Sequence, residues 1–586
     1  MKTKQIKTEL CVIGGGLSGL CAAVSAARGG LRVVLVHDRP VPGGNASGEI
    51  RMWVRGASAA FPLFREGGIV EELAMDNIYY NPTMTYPVWD GILYHLASRE
   101  PNLTLLLNTT CHGAEYRDRR ILCIRAWQLT TYTEYEIQAD YFADCSGDSV
   151  LSEFTPAAYR RGREGREEFG ESHAPPLPDD KTMGMSCLIQ GRETAREVPY
   201  RPLPFAQTFR STDFPHRMNT TDPRGFMANN FWWIEKGGER DTLRDAEAIT
   251  AELRPAAYGV WDFVKNSGVY DSRHWELEFV GQLGGKRESR RYKGKYTLTQ
   301  QDIECARPFE DEVAYGGWTM DDHDPAGMDT TAPPNVHYPV PGPYPIPYRV
   351  LYSENMENLF FAGRNISVTH MALSSTRVMA TCALLGQAVG NAAVLAGRYG
   401  CSPHGVLSHI AELQQALRDD DCYLLHTPRR LSDTMRQSRH NLTPQNYRHL
   451  LQGIERKTDE GDSVLLFRAG ETAAFEFEPT FCAKVRLVFD NDIQRDSYPD
   501  YNLRQYPARH MFTTAERDLY LPPVLVSRYE ISLKENGVWQ PPQTFRNHQR
   551  LTTIQVDRKI EGISFRGLAT HGGGECIRLY SIDVIP

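Results

Sequence analysis

The chain has 586 residues, with 65 Lys and Arg against 73 Asp and Glu, a formal net charge of -8 and twelve Cys. This mixed charge, without a long run of either sign, argues against a protein that binds nucleic acid or an anionic membrane. The Cys are scattered and form no Cys-x-x-Cys pair, which fits reduced thiols, excludes a zinc ribbon or a dithiol redox centre, and leaves no predicted metal site.

The N-terminal stretch MKTKQIKTEL leads directly into a predicted strand and lacks the apolar core of a signal peptide. No apolar run reaches the ~18 residues of a membrane span. We therefore expect a cytoplasmic protein, or a periplasmic one if a leader has been removed from the sequence.

The first 150 residues predict an α/β domain. Residues 8–13, 17–27 and 31–37 read as a buried strand, a helix of small residues and a second strand, which together form a βαβ unit. A helix and three further strands are predicted to complete the domain, over residues 88–99, 103–107, 121–130 and 135–143.

The middle of the chain differs in composition. Charged and Pro-bearing segments follow residue 155, and residues 321–347 are dense in Pro and Gly, which predicts an ordered crossing loop. A strand over residues 359–362 and the helix after it restore the α/β pattern. The first domain is therefore predicted to be discontinuous, with the middle segment inserted into it.

The C-terminal part is predicted to fold separately. Residues 401–457 are polar and helical, and seven short apolar segments between turns then predict an all-β sandwich. The predicted domains are residues 1–155, 156–345, 346–400, 401–457 and 458–586.

A glycine motif lies between the first strand and the first helix. Gly14, Gly16 and Gly19 in GGGLSG form a G-x-G-x-x-G pattern, which in a βαβ unit predicts a dinucleotide with its phosphates at the helix N-terminus. The ribose partner is usually an acid at the end of the second strand. Here His37 stands at that position and Asp38 follows, and the sequence leaves open which of them binds the ribose.

Three markers in chain order resemble those of glutathione-reductase-like flavoproteins: RPVPGGNASGE, YFADCSGDSVL and NLFFAG. Longer stretches, GGNASGEIRMWVRGA, GKRESRRYKGKYTLTQQDI and AGRNISVTHMALSSTRVMATCALLGQAVG, are similar to signatures of one bacterial family of FAD-dependent oxidoreductases. That family is often found near polysaccharide-degrading genes and is sometimes labelled xanthan lyase.

The resemblance implies an α/β fold: a Rossmann-like FAD-binding domain of the three-layer ββα type with an inserted α+β substrate domain. FAD is the implied cofactor. Arg364 stands where the wider superfamily has an acid, and we expect it to reach the pyrophosphate instead. The implied cofactor-binding residues are Gly14, Gly16, Leu17, Ser18, Gly19, His37, Asp38, Arg39, Gly43, Gly44, Asn45, Ser47, Ser146, Gly147, Asp148, Gly363, Arg364, Ser375 and Thr376.

The catalytic candidates lie in polar segments away from the glycine motif. His370 precedes a helix predicted to begin near Ser374, whose N-terminus would stabilise the reduced flavin, and we expect the imidazole to act as general base. Arg51, Arg287 and Arg290 are candidates for holding a substrate carboxylate or carbonyl, and the last two share a face if their segment is helical. The aromatic candidates for stacking on a sugar, which core packing explains equally well, are Trp53, Trp232, Trp233 and Trp275.

The expected partners are a small-molecule substrate, possibly a carbohydrate, and a separate electron acceptor or donor, because a second G-x-G-x-x-G for NAD(P)H is missing. Three functions stay open: hydride transfer from a carbinol to the flavin, reduction of a C=C bond conjugated to a carboxylate, and carbohydrate binding by a flavoprotein without catalysis. The sandwich either binds glycan or braces the enzyme or a homo-oligomer.

Overall fold

The computed structural model describes residues 2–214, 216–217, 230–498 and 519–585. Within these ranges the chain forms two compact units. Unit 1 contains residues 2–60 and 83–413, and unit 2 contains residues 61–82 together with the described residues from 414 onward. Residues 414–457 of the predicted helical connector and the described C-terminal strands thus belong to the same unit.

Unit 1 contains eighteen described strands, numbered in chain order. They are β1 (Lys2–Ile13), β2 (Val33–Val36), β3 (Leu103–Leu106), β4 (Thr109–Arg117), β5 (Arg120–Gln128), β6 (Thr133–Asp144), β7 (Tyr159–Arg161), β8 (Met185–Ser186), β9 (Ile189–Glu193), β10 (Glu235–Lys236), β11 (Trp275–Val280), β12 (Gly285–Lys286), β13 (Arg290–Tyr292), β14 (Glu312–Gly316), β15 (Met320–His323), β16 (Asn335–Tyr338), β17 (Tyr344–Pro347) and β18 (Leu359–Phe361).

The core of unit 1 is a seven-stranded sheet with a parallel, Rossmann-like centre. Its order is β3-β2-β1-β6-β5-β4, and β18 pairs in parallel with the C-terminal end of β6. Strands β1, β2 and β3 are parallel to one another, and β1 is parallel to β6, whereas β4 and β5 form an antiparallel meander that ends on β6. The parallel strands end at one edge, where loops after β1, β2, β6 and β18 come together.

The helices of unit 1 cover this sheet and the inserted region. Two of them, Leu17–Arg28 and Met379–Tyr399, pack so closely that a Cβ on Gly386 would lie 1.9 Å from the carbonyl oxygen of Ser18. Only a residue without a side chain permits this approach. The remaining described α-helices of unit 1 are Tyr86–Ser98, Arg166–Phe169, Ala246–Asn266, Gln300–Glu304 and His370–Thr376, and Ile410–Asp419 crosses into the sequence of unit 2.

The inserted region has its own apolar core around the 21-residue helix Ala246–Asn266. That helix buries Leu253, Val260 and Trp261 against the small antiparallel sheets that contain β8 to β12. Burial of a large apolar side chain contributes about 1.5–3 kcal/mol, so this cluster holds the inserted segment together.

The helix Met379–Tyr399 alone, among the described residues, is long and apolar enough to cross a membrane by length and composition. Its most apolar window has a mean hydropathy of 1.5. Because 83% of that window is buried within the protein, the helix is part of the core.

Unit 2 is built on a separate antiparallel sheet. Its central order is β22-β28-β23-β27-β24-β25, with β19 on β23 and β26 on β24. The strands are β19 (Arg439–His440), β20 (Lys457–Thr458), β21 (Gly461–Asp462), β22 (Leu465–Arg468), β23 (Thr472–Phe489), β24 (Val526–Glu535), β25 (Val538–Trp539), β26 (Gln543–Arg546), β27 (Leu551–Thr570) and β28 (Cys576–Ile585). Its described helices are Ile69–Tyr80, Asp433–Arg436 and Pro444–Gln452.

Buried ion pairs join Arg429 and Glu455, in the segment before the long strands, to this sheet. Arg486 on β23 donates to both carboxylate oxygens of Glu455, at 2.8 and 2.9 Å, and Arg429 donates to Asp583 on β28. All four side chains are at most 5% exposed. Breaking such a pair leaves an uncompensated buried charge, so the segment and the sheet are expected to fold as one body.

Two features of the fold differ from the sequence prediction. Strands β23 and β27 each join two segments that were predicted as separate short strands, because β-bulges absorb the irregular residues between them. The predicted loop over residues 321–347 contains the antiparallel pair β15 and β16. Its Pro and Gly residues are concentrated around these strands, where they mask the short alternating pattern.

Candidate functional site

A cavity of about 530 Å³ opens in unit 1 at the edge where the parallel strands end. One end of the cavity, which we call the glycine end, is lined by the loops after β1, β2, β6 and β18. The other end, which we call the distal end, is lined by Trp53, Arg55, Trp232, Trp318, Asp321, His323, Asn335, His337 and Arg377.

The glycine loop is shaped by close backbone packing. A Cβ on Gly19 would lie 1.8 Å from the carbonyl oxygen of Gly14, so the helix can begin against the end of the strand only with glycine at position 19. Gly16 lines the cavity, and the position of a Cβ there has no atom within 4 Å. The open space over Gly16 and the N-terminus of the helix Leu17–Arg28 fits an anionic phosphate group.

His37 locks the glycine loop to the second strand. Its Nδ1 accepts a hydrogen bond from the Gly15 amide at 3.0 Å, and its Nε2 donates to the Val41 carbonyl at 3.0 Å. These contacts require the neutral ring, and burial lowers the pKa of His37 to about 4. Both ring nitrogens are therefore occupied within the protein, which leaves Asp38 as the better candidate for a ribose hydroxyl.

Asp38 and Arg39 border the cavity directly after His37. The side chain of Asp38 is 59% exposed, so its carboxylate is free to accept hydrogen bonds from hydroxyl groups. The guanidinium of Arg39 has a buried Nη1 without a partner in the described structure. A buried donor of this kind is costly unless a ligand accepts from it, and a diphosphate has suitable oxygens.

The loop after β6 is held by a buried carboxylate at the strand end. Asp144 accepts hydrogen bonds from the amides of Ser146 and Leu151, at 3.0 and 2.9 Å, and from the Tyr292 hydroxyl at 2.6 Å. Burial raises its pKa. These bonds place Ser146, Gly147 and Asp148 at the cavity wall.

Arg364 is paired with Asp148 across the cavity wall. Its Nη2 lies 2.6 Å from Asp148 Oδ1, and Lys286 Nζ lies 2.7 Å from Oδ2 of the same carboxylate. Burial acts to raise the pKa of Asp148, but the two cations hold it at about 2. Two cations face one carboxylate here, so the surplus positive charge fits a bound anion, as we expect for Arg364.

The helix whose N-terminus meets the cavity begins later than predicted. The helical segment is interrupted at Arg377 and Val378, and Val378, Met379 and Cys382 line the cavity. Ser374, Ser375 and Thr376 are fully buried in the preceding short helix and do not line it. The positive end of the helix dipole that faces the cavity is thus that of Met379–Tyr399.

Asp321 organises the distal end. Arg377 Nη2 donates to its Oδ2 at 3.1 Å, Asn335 Nδ2 donates to its Oδ1 at 2.5 Å, and His323 Nε2 lies 3.3 Å from Oδ2. Burial opposes ionisation of Asp321, but the surrounding histidines and Arg377 lower its pKa far below the ordinary range. The carboxylate is therefore charged at every physiological pH.

His337 is the most exposed ionisable ring at this end. Its side chain is 54% exposed, its Nδ1 lies 3.1 Å from Thr319 Oγ1 and 3.5 Å from Asp321 Oδ1, and its Nε2 lies 3.0 Å from Asn335 Nδ2. Because Asn335 Nδ2 is a donor, Nε2 is the unprotonated nitrogen of this arrangement. An unprotonated ring nitrogen at a cavity wall can accept a proton once its donor, Asn335, turns away.

His370 lies outside the cavity lining and is 2% exposed. Its Nδ1 is 2.9 Å from Glu288 Oε2 and its Nε2 is 3.0 Å from Asp322 Oδ1. Burial alone would lower its pKa, but the two carboxylates raise it to about 10. A protonated ring with both nitrogens engaged has no lone pair for a substrate proton, so the geometry does not favour the predicted general base.

The three predicted arginines occupy different surroundings. Arg287 lines the cavity, but its segment is extended rather than helical, and it is paired with Glu235 at 3.2 Å. Arg290 pairs with Glu153, and Arg51 packs between the rings of Tyr86 and Phe279. Neither of the last two lines the cavity.

Two of the four predicted tryptophans, Trp53 and Trp232, line the distal end, whereas Trp233 and Trp275 are buried in the core of the insert. Of the predicted cofactor-binding residues, all but Gly19, Ser47, Ser375 and Thr376 line the cavity. Sequence reasoning missed Trp318, Asp321, His323, Asn335, His337 and Arg377. The alternation of Asp and His in DDHD before a turn was the available signal.

The sequence matches the FAD dependent oxidoreductase family over residues 9–417. A search of curated proteins finds no match.

Among solved structures, the chain is similar to a geranylgeranyl bacteriochlorophyll reductase-like protein from Thermoplasma acidophilum, with 11% identity and a TM-score of 0.31 over 71% of this chain and 86% of that one. The myxobacterial chondrochloren halogenase CndH has 10% identity and a TM-score of 0.33 over 70% and 79% of the two chains. The quinol fumarate reductase subunit FrdA of E. coli has 13% identity and a TM-score of 0.27 over 72% and 75%. These scores are too low to assign an activity.

Proposed function

The chain belongs to the FAD dependent oxidoreductase family and is a flavin enzyme that binds FAD, and we propose that it oxidises a carbinol of a hydroxylated small molecule, such as a carbohydrate. The observation that carries this proposal is the position of His337 beside Asp321 at the distal end of the cavity. The family match covers the whole of the cavity lining, so the proposal concerns the substrate and the residues that act on it.

The residues of the glycine end would hold the cofactor. The open space over Gly16, the N-terminus of the helix Leu17–Arg28 and the unpartnered Nη1 of Arg39 suit the diphosphate of FAD, and Asp38 suits a ribose hydroxyl. When bound, FAD supplies a two-electron carrier that accepts a hydride.

His337 would accept the proton of the reacting hydroxyl group at Nε2 as the neighbouring C–H bond of the substrate breaks. Asp321 faces the opposite ring nitrogen and stabilises the imidazolium that forms, which is the role of a carboxylate in a His–Asp pair. Asn335, which donates to Nε2 in this structure, would turn to the substrate oxygen instead. His337 thus replaces His370 as the proposed base.

The flat faces of Trp53, Trp232 and Trp318 support a hydroxylated ring or chain as the substrate. These three indoles line the same cavity as His337 and Asn335, and the ring centroids of Trp232 and His323 lie 5.2 Å apart. Apolar ring faces next to polar side chains match a sugar, which has C–H faces and hydroxyl edges. A diffusible partner would then take electrons from the enzyme, since the sequence holds one dinucleotide fingerprint.

The alternative, reduction of a C=C bond conjugated to a carboxylate, needs a cation that is available to the acid. Arg377 and Arg287 line the cavity, but Arg377 pairs with Asp321 at 3.1 Å and Arg287 with Glu235 at 3.2 Å. Because both of these arginines already face a carboxylate, an acidic substrate gains less from them than from an uncompensated arginine. The geometry therefore favours carbinol oxidation.

Anaerobic mixing of the FAD-loaded enzyme with polyols, glycosides and uronates tests the proposal. At least one compound is expected to bleach the visible absorption of FAD, and His337→Ala should slow that reduction by about 10²-fold or more. The matched control is His112→Ala, which removes a half-exposed His paired with Glu134 at 2.9 Å. The proposal is wrong if no hydroxylated compound bleaches the flavin while enoates reoxidise the photoreduced enzyme.

A further inference from the structure

His370 bridges two segments that each contribute side chains to the cavity. One ring nitrogen faces Glu288, which follows the cavity-lining residues Lys286 and Arg287. The other faces Asp322, the middle residue between the cavity-lining Asp321 and His323 on β15. Since successive side chains of a strand point to opposite faces, an anchor on Asp322 orients its two neighbours toward the cavity.

Two members of the bridge, Glu288 and His370, have further hydrogen-bond partners. Glu288 Oε2 accepts from the Met183 amide at 3.0 Å, and the Glu288 carbonyl accepts from the Thr242 hydroxyl at 2.9 Å. The His370 amide donates to Glu164 Oε2 at 2.8 Å, which fixes the first residue of the helix. The ring therefore joins three separate segments of unit 1 within a buried volume.

Charges from every packed element keep the ring protonated. Glu288, Asp322, Glu164 and Glu171 face it, and Arg291 and Arg163 are the cations that interact with these carboxylates. With its pKa raised to about 10, the ring donates to both bridging carboxylates at neutral pH. Hydrogen bonds between charged groups are stronger than those between neutral ones.

We propose that His370 is a positioning residue, whose imidazolium clamps Asp322 to Glu288 and thereby holds the cavity-lining Asp321 and His323 in place at the distal end. This inference rests on the proposed function in one respect, the role of Asp321 beside the proposed base His337. It assigns to His370 a role other than proton transfer, and it predicts that Asp322, which does not line the cavity, matters as much as His370 itself.

The test compares His370→Gln, Asp322→Asn and the double variant in the FAD-loaded enzyme. Amide hydrogen exchange over residues 320–323 should be at least about tenfold faster in each single variant, since one charge-assisted hydrogen bond is lost. The double variant should differ from either single variant by less than about threefold, because both substitutions break the same bridge. The control is His112→Gln, which breaks a surface His–Glu pair.

The midpoint potential of the bound FAD is the second readout, since a purely structural contact elsewhere in the unit would not move it. Loss of the clamp should shift the potential, because the carboxylate of Asp321, which lines the cavity, is no longer held in one position. Unchanged exchange over residues 320–323 together with an unchanged potential in His370→Gln would overturn the proposal. Slower reduction of FAD by the substrate, with exchange and potential both unchanged, would overturn it too and restore His370 as a base.

The outcome is independent of the proposed function. If His337→Ala keeps the wild-type rate of flavin reduction, the base assignment fails, but exchange and potential in the His370 and Asp322 variants still report on the clamp. If Asp322→Asn is indistinguishable from the wild type in both measurements, the clamp fails while the base assignment of His337 stands.

Discussion

The two ends of the cavity in unit 1 are lined by different parts of the chain. The glycine end consists of backbone and of loops that follow parallel strands, with His37 held neutral against the Gly15 amide. The distal end consists of charged and aromatic side chains, most of them from the insert, centred on Asp321. A binding site made of backbone keeps the same ligand, here the cofactor, across related chains. A binding site made of side chains can acquire a different ligand, here the substrate, through substitutions. The cofactor is therefore easier to identify than the substrate.

Among the substitutions that test this difference between the two ends, Gly19→Ala is expected to have the largest effect. A Cβ in Gly19→Ala would lie 1.8 Å from the carbonyl oxygen of Gly14, so the strand and helix must separate. We expect loss of soluble, FAD-containing protein, measured as the ratio of flavin to protein absorbance after purification. In the control Gly91→Ala the Cβ meets no atom within 4 Å, and a normal flavin content is expected. Normal flavin content in Gly19→Ala would contradict the role of this close packing.

His37 predicts an acid-dependent loss of stability at the glycine end. The pKa of His37 is about 4 in the folded protein, below its value of ~6.5 in the unfolded chain. The contribution of His37 to the free energy of unfolding is therefore fully present above pH ~6.5 and is lost as the pH falls toward 4. The difference corresponds to about 3 kcal/mol of unfolding free energy. Urea unfolding at several pH values should show this slope in the wild type, and His37→Gln should remove it. An equal slope in both proteins would contradict the neutral, locked ring.

Asp321→Asn is expected to impair reaction with the substrate at the distal end and to leave FAD binding at the glycine end unchanged. The substitution leaves Arg377 without its carboxylate partner and removes the group that faces Nδ1 of His337. Reduction of FAD by a compound that bleaches the wild type should slow by about 10²-fold, with flavin content unchanged. Stopped-flow absorbance measures the rate, and a matched loss of bound FAD would show that the ends are not independent.

The smallest effect is expected for Asp38→Asn. If Asp38 accepts from a ribose hydroxyl, its amide replacement should weaken FAD binding by about three- to tenfold, the size of one hydrogen bond. FAD release measured by flavin fluorescence in dilute protein gives the affinity, and Asp118→Asn serves as a control on an exposed turn. An unchanged affinity would mean that the ribose has another partner.

Elements with a strong local pattern were predictable from the sequence. The predicted helix over residues 17–27 corresponds to Leu17–Arg28, and the strand over 103–107 corresponds to Leu103–Leu106, because their apolar residues recur with a clear period. The strands β15 and β16 were missed, since four residues between Pro and Gly carry too short a pattern. The helix Ile69–Tyr80 was not predicted either, and its buried residues include Glu71, Asp76 and Asn77, which hide the apolar stripe.

The residues of the candidate site likewise divide into those that the sequence could identify and those that it could not. The residues after β1, β2 and β6 could be named because motif and cofactor chemistry are linked through backbone geometry. The position of His370 in a polar loop before a helix suggested a catalytic base, but sequence spacing carries no information on the facing Glu288 and Asp322. Those partners lie 82 and 48 residues away along the chain and decide the charge of the ring.

The sequence by itself determined the family, the cofactor and the βαβ unit, because glycine spacing and strand–helix periodicity are local properties that short-range sterics enforce. Only the tertiary structure decided which ionisable groups face one another. It placed His337 rather than His370 at the cavity, gave Asp321 its cationic neighbours and paired Arg364 with Asp148. The electrostatic character of a side chain depends on burial and on charges within a few ångströms, and the chain brings those together only when it folds.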